Sequence, residues 1–142
     1  MDYIPKHFQS YELVPKETYE ILKRKNELYK IWWLFDPRTL LVGDRIRKRY
    51  GKMVANTWWW GGKHHFRGWR PPNCTIGAER SQHRFGRAQD LVPTEVTVEE
   101  IWYDIKDKGE DFGFITCIEI GPKVTWLHHD ERNYQGLLIV HP

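Results

Sequence analysis

The sequence predicts an α+β fold, a small, mainly antiparallel sheet with helices packed on it, and three observations carry that expectation. Val98, Ile101, Trp102 and Ile105 repeat with helical spacing behind a Thr97–Glu100 capping box. Asp36-Pro37 and Gly51 bracket a second helical stretch with a cap, a first-turn proline and a terminating glycine. Three short β-forming runs, 114–120, 124–130 and 136–140, then follow one another with turn residues between them. The 142 residues suit a single domain, 1–142, with a helical lead-in over 1–52 and a core over 53–142.

In chain order, residues 1–14 read as extended. Pro15 opens a helix to about Lys30, with Tyr19, Leu22, Leu28 and Tyr29 turned inward. IWWLF at 31–35 is either the end of that helix or a buried turn. In the second helix Leu40, Ile46 and Tyr50 share a face, and Arg45, Arg47, Lys48 and Arg49 mostly meet water. MVANTWWW at 53–60 reads as a strand, which would put Trp58 and Trp60 on one side and Trp59 on the other. Residues 61–86 are too rich in glycine, proline and polar residues for regular structure, and a stretch that long inside a compact domain points to function. RAQDLV at 87–92 is a short strand, and Gly109 ends the third helix.

Composition excludes several classes. With 40% hydrophobic and 29% charged residues the chain belongs with soluble globules, not disordered chains. A net charge of +3 is too small to indicate nucleic acid as a partner. No apolar run reaches the roughly 18 residues of a membrane span, so no membrane insertion is expected. The first residues, MDYIPKHFQSYE, lack a basic stretch followed by an apolar one, so synthesis in the cytosol without a signal peptide is expected. Two cysteines, Cys74 and Cys117, make no disulfide framework and read as buried thiols. Eight tryptophans, three of them consecutive, suggest an aromatic core or a stacking surface.

Two stretches carry chemistry. In Ser81-Gln-His83-Arg-Phe-Gly86-Arg-Ala-Gln-Asp90 a histidine and an aspartate flank a glycine turn. In Trp126-Leu-His128-His-Asp130 strand alternation puts Trp126, His128 and Asp130 on one face, and Leu127 and His129 on the other. If His83, Asp90 and His128 converge, two imidazoles and a carboxylate form a three-ligand set that leaves zinc a fourth position. His129 is the alternative ligand if the strand phase is shifted by one.

These motifs, SQHRFGRAQD at 81–90 and TWLHHDER at 125–132, resemble the LAS-type zinc peptidases: D-Ala-D-Ala carboxypeptidases, L-alanyl-D-glutamate endolysins and related murein endopeptidases. FRGWRPP at 66–72 is similar to that family's Gly-aromatic-Arg segment, so the likeness covers about residues 53–132. It implies one zinc ion held by His83, Asp90 and His128 in a cleft on the sheet. It implies an Arg70 that stabilises an oxyanion or holds a substrate carboxylate, with Arg80 and Arg67 as weaker candidates. Ser81 and Gln82 would shape the turn before His83.

Some relatives carry a carboxylate three residues before the last zinc histidine, where this chain has Thr125. Glu119 on the preceding strand is therefore the first choice of general base and Asp130 the second, Asp130 being equally suited to orient a ligand histidine. His64 and His65, in the long loop, read as a solvated pair that could line the cleft. The resemblance implies a phage-type zinc peptidase cutting an amide in the peptidoglycan stem peptide. It would be an endolysin acting after release, or a virion-associated hydrolase with other virion proteins as partners. The alternatives are a virion structural component that keeps the fold, with or without zinc, and single-stranded nucleic-acid binding through the tryptophans.

Overall fold

The computed structural model describes residues 3–107 and 112–142. Helices α1 (Lys16–Arg24), α2 (Pro37–Tyr50) and α3 (Val98–Asp107) accompany strands β1 (Met53–Val54), β2 (Ala88–Pro93), β3 (Cys117–Glu119), β4 (Leu127–Asp130) and β5 (Leu138–Val140). The fold is α+β. The five strands form one sheet in the order β1-β2-β4-β3-β5. All neighbours are antiparallel except β3 and β5, which run parallel.

The N-terminal segment is not wholly extended, because Ser10–Glu12 closes a 3-10 turn. α1 is shorter than the expected helix to Lys30. Asn26 adopts a left-handed φ of 56° that a continuing helix excludes. The chain then winds through a 3-10 segment, Leu28–Leu34, so IWWLF is a turn, one that buries Ile31 and Phe35 but leaves Trp33 exposed. Tyr29 does not turn inward; it is exposed, whereas Tyr19, Leu22 and Leu28 pack partly against the core.

α2 follows its sequence signals. Asp36 caps it by accepting from the Arg38 N–H at 2.9 Å, Pro37 opens it and Gly51 ends it. Leu40, Ile46 and Tyr50 are buried as expected. α3 carries the expected capping box: the Thr97 N–H donates to Glu100 at 2.8 Å, and the Glu100 N–H to Thr97 at 3.3 Å. Its apolar stripe, Val98, Ile101, Trp102 and Ile105, lies in the core. Gly109, its expected terminator, lies outside the described residues.

The strand expected over 53–60 is overturned beyond Val54. Trp58–Trp60 forms a 3-10 turn closed by a left-handed Gly61. The Thr57 and Trp58 N–H groups both donate to the His64 carbonyl, and the His64 N–H returns to the Thr57 hydroxyl. Local turn chemistry, Asn-Thr before and Gly-Gly after, outweighs the β preference of the aromatics.

Leu40, Val42, Ile46, Leu91, Ile101, Ile118 and Leu127 join the two longer helices to the sheet in one apolar cluster. Each such side chain contributes about 1.5–3 kcal/mol on burial. This packing clamps β2 and β4, the two strands that carry the candidate site. Among the described residues no helix is long and apolar enough to cross a membrane.

Candidate metal centre

β2 and β4 pair so that Asp90 lies opposite His128, and Ala88 opposite Asp130. Directly opposed residues point to one sheet face, so this register alone brings Asp90 and His128 together. His83 arrives from the irregular region on a 3-10 turn, Gln82–Phe85, capped by the Ser81 hydroxyl and closed by Gly86. Gly86 has a φ of 67°, and a Cβ there would stand 1.9 Å from the Leu34 carbonyl oxygen. Only glycine meets both conditions, which explains that position of the motif. The Gly86 carbonyl also accepts from the Asp36 N–H at 2.9 Å, so the turn is tied to the start of α2.

Each histidine is oriented from behind. His83 Nδ1 lies 2.7 Å from the Gly68 carbonyl oxygen. A carbonyl only accepts, so this nitrogen carries the proton and Nε2 is left toward Asp90, 3.3 Å from its Oδ2. His128 Nε2 donates to Asp130 Oδ2 at 2.8 Å, which leaves Nδ1 2.8 Å from Asp90 Oδ1. Gly68 can serve His83 because it presses against Leu13, whose carbonyl oxygen would stand 2.1 Å from an added Cβ. The ligand-type atoms of His83, Asp90 and His128 all lie within 4.8 Å of one another, and the group is largely buried.

Two imidazole lone pairs and a carboxylate aimed at one point repel unless a cation or a proton lies between them. Burial works against the charged forms. It is outweighed at His128 by hydrogen bonds to Asp130 and Asp90 and by their charges, which push its pKa up to about 10. Burial also opposes ionisation of Asp90, but the His83 and His128 imidazoles beside it hold its carboxyl well below the usual range. The donor set, two nitrogens and a carboxylate with hydrogen-bonded partners behind, could hold a metal ion.

The group opens into a cleft of about 400 Å³. Arg70, Glu119, Arg80, Ser81 and Gln82 line it with the three central residues. Arg70 is fixed by donating Nε to the Phe66 carbonyl at 2.8 Å, while its fork reaches Ser81 and Asp90 at 3.4 and 3.5 Å. Among the described residues the Glu119 carboxylate has no hydrogen-bond or ion-pair partner. Asp130 is fully buried and holds Arg132 with both oxygens, at 2.7 and 2.6 Å. That pairing and the His128 hydrogen bond outweigh its burial and keep it ionised.

The chain matches no protein-family model, no curated protein and no solved structure.

The structure thus brings His83, Asp90, His128, Arg70 and Glu119 to one cleft and sets Asp130 behind His128. Thr125 is exposed and lies away from the cleft. Arg67 turns elsewhere, onto the Ala55 carbonyl. His64 and His65 do not line the cleft, and His65 stacks on Trp58 instead. His129 faces the other side of the sheet, between Glu131 at 2.8 Å and Gln89 at 2.9 Å, with Thr39 donating to Glu131. Cys117 is buried, and its thiol is pushed up to about 12, by burial first and then by the Asp130 charge, so it is no nucleophile.

Sequence reasoning missed Arg132 and the Gly68 carbonyl. Arg132 was findable, two residues beyond Asp130 in the same alternation. Gly68 was not, since a backbone acceptor leaves no residue-type signal.

Proposed function

We propose that the chain is a zinc-dependent peptidase that cuts an amide bond in the peptidoglycan stem peptide. One observation carries this reading. Three ligand-type side chains converge, each histidine has its outer ring nitrogen held by an acceptor, and the cleft before them holds an unpaired carboxylate and an arginine fork. His83 Nε2, an Asp90 oxygen and His128 Nδ1 would hold one zinc ion. Bound zinc supplies Lewis acidity that polarises the scissile carbonyl and acidifies water.

The chain's own residues supply the rest. Glu119 takes a proton from the attacking water and returns it to the leaving amine. Arg70 meets negative charge on the substrate, with its fork pre-set by Phe66, Ser81 and Asp90. Asp130 has both oxygens committed, so it orients His128, and Arg132 holds it charged for that task. Two histidines and a carboxylate also suit ferrous iron. The free carboxylate and the arginine beside them favour hydrolysis. The choice of peptidoglycan rests on the motif resemblance.

The experiment is digestion of purified peptidoglycan by the zinc-loaded chain, read by mass spectrometry of the released peptides. New free amines at a stem-peptide amide, abolished by chelation and restored by zinc, are expected. Stoichiometric zinc with no cleavage of any peptidoglycan would overturn the activity and favour a structural role in a virion.

A further inference from the structure

Trp59 and Trp60 lie outside the metal cleft and line a second one. The Tyr11 ring centroid is 4.8 Å from that of Trp59, and Trp59 is 4.6 Å from Trp60 in an edge-on pair. Trp59 is 39% and Trp60 50% exposed, so two large apolar rings meet solvent side by side. Displaying indoles this way forgoes burial, and it is not the accident of a loose loop. Trp60 donates its backbone N–H to the Thr57 carbonyl, Gly61 to Trp58, and Gly62 to Thr57, at 3.2, 3.1 and 2.9 Å. The Trp59 indole N–H is pinned to the Asn56 carbonyl at 2.9 Å. The Trp60 indole N–H has no hydrogen-bond partner among the described residues.

Beside these rings is a cleft of about 300 Å³, the lower end of the range of small-molecule sites, about 300–1,000 Å³. Its lining mixes the aromatics with the exposed side chains of His7 and Lys52, while Glu12, Arg47 and Asn56 are engaged within the fold. Flat apolar faces next to an ammonium, an imidazole and the unengaged Trp60 N–H match a ligand that is itself two-sided, with a C–H face and a rim of hydroxyls. That is a pyranose ring: its C–H face packs on the indole, and its hydroxyls meet donors and acceptors in turn. A nucleic-acid strand fits less well. Arg47 is engaged by Glu12 at 3.2 Å and lies over the Phe8 ring, which leaves Lys52 as the one lysine or arginine of the lining without an ion pair among the described residues, too little positive charge to track a phosphate backbone.

The two clefts share a strut. The Asn56 side chain accepts from the Arg67 N–H at 3.0 Å, the Arg67 carbonyl accepts from the Asp90 N–H at 2.7 Å, and the neighbouring Gly68 carbonyl holds His83. We infer that Tyr11, Trp59 and Trp60 form a saccharide-binding subsite for pyranose units of a glycan strand. The subsite holds the polymer whose peptide branches enter the metal cleft. The link to that peptide rests on the peptidase reading, whereas the sugar site does not.

Titration of the full chain with tetra-N-acetylglucosamine, followed by tryptophan fluorescence and calorimetry, tests this. Saturable binding is expected, with and without chelator. Trp60→Ala should weaken it roughly 3- to 10-fold with an unchanged unfolding midpoint. A chain that does not bind the tetrasaccharide, or a Trp60→Ala variant that binds it as tightly as the native chain, overturns the inference. So does salt-dependent binding of oligo-deoxythymidine in place of the sugar. Sugar binding without peptide hydrolysis would keep this subsite and remove the peptidase reading. Hydrolysis without sugar binding would do the reverse.

Discussion

Gly68 and Asp130 each take one ring N–H of a histidine, and this settles which nitrogen of His83 and His128 is left to face Asp90. The strand alternation of WLHHD already put Asp130 beside His128. In the proposed mechanism the free carboxylate of Glu119 is the base and the committed one of Asp130 orients His128. Glu119→Gln should keep one zinc per chain and lower hydrolysis by about 10²- to 10⁴-fold; rates beside metal analysis check it, and full activity would remove Glu119 from the mechanism. The raised pKa of His128 makes a second prediction at this scale. In chelated protein, its charged pairing with Asp90 and Asp130 contributes stability that is complete below pH 6.5 and lost as pH rises toward about 10. Asp90 and Asp130, both depressed, contribute stability that is lost only as pH falls below 3.8. Urea midpoints of chelated protein should therefore fall across the window from 6.5 to 10, and midpoints that rise there would contradict the pairing. Zinc competes with that proton for His128 Nδ1, so its affinity should climb over that window.

At the scale of elements, helices with local punctuation were legible in the sequence. Asp36-Pro37 through Gly51 and the Thr97–Glu100 box mark features that local chemistry decides, and the structure keeps them. The Trp58–Trp60 run was misread because three aromatics favour a strand only when a partner strand is available. Here the His64 carbonyl captures the backbone first. The Gln82–Phe85 turn was hidden inside an irregular stretch, yet it delivers His83. Its closing glycine makes it testable. Gly86→Ala imposes a left-handed alanine and a clash with Leu34, so it should destabilise the fold by at least about 1 kcal/mol. It should also weaken zinc binding; denaturation curves and zinc titration would show both, and a variant with native values of each would refute the role given to that turn.

At the scale of the whole molecule, the α+β class was legible but the strand order was not. The β3–β5 pairing is parallel and sets residues 117–119 directly against 138–140, although β4 lies between them in the sequence. Such an arrangement depends on long-range packing that no local pattern records. The same non-locality hid the buried network of Thr39, Gln89, His129 and Glu131 behind β4. The triad was readable only because the spacing of two short motifs stands in for that long-range pairing. The register of Asp90 against His128 is the physical content of the spacing.

The central claim is that His83, Asp90 and His128 hold one zinc ion. X-ray absorption at the zinc edge, on the stoichiometrically loaded chain, tests it most directly. The account predicts one zinc per chain with two imidazole nitrogens at about 2.0–2.1 Å and the remaining neighbours oxygen. It also predicts that this signature disappears in His83→Ala and in His128→Ala. A zinc environment unchanged by both substitutions, or one containing sulfur, would contradict it.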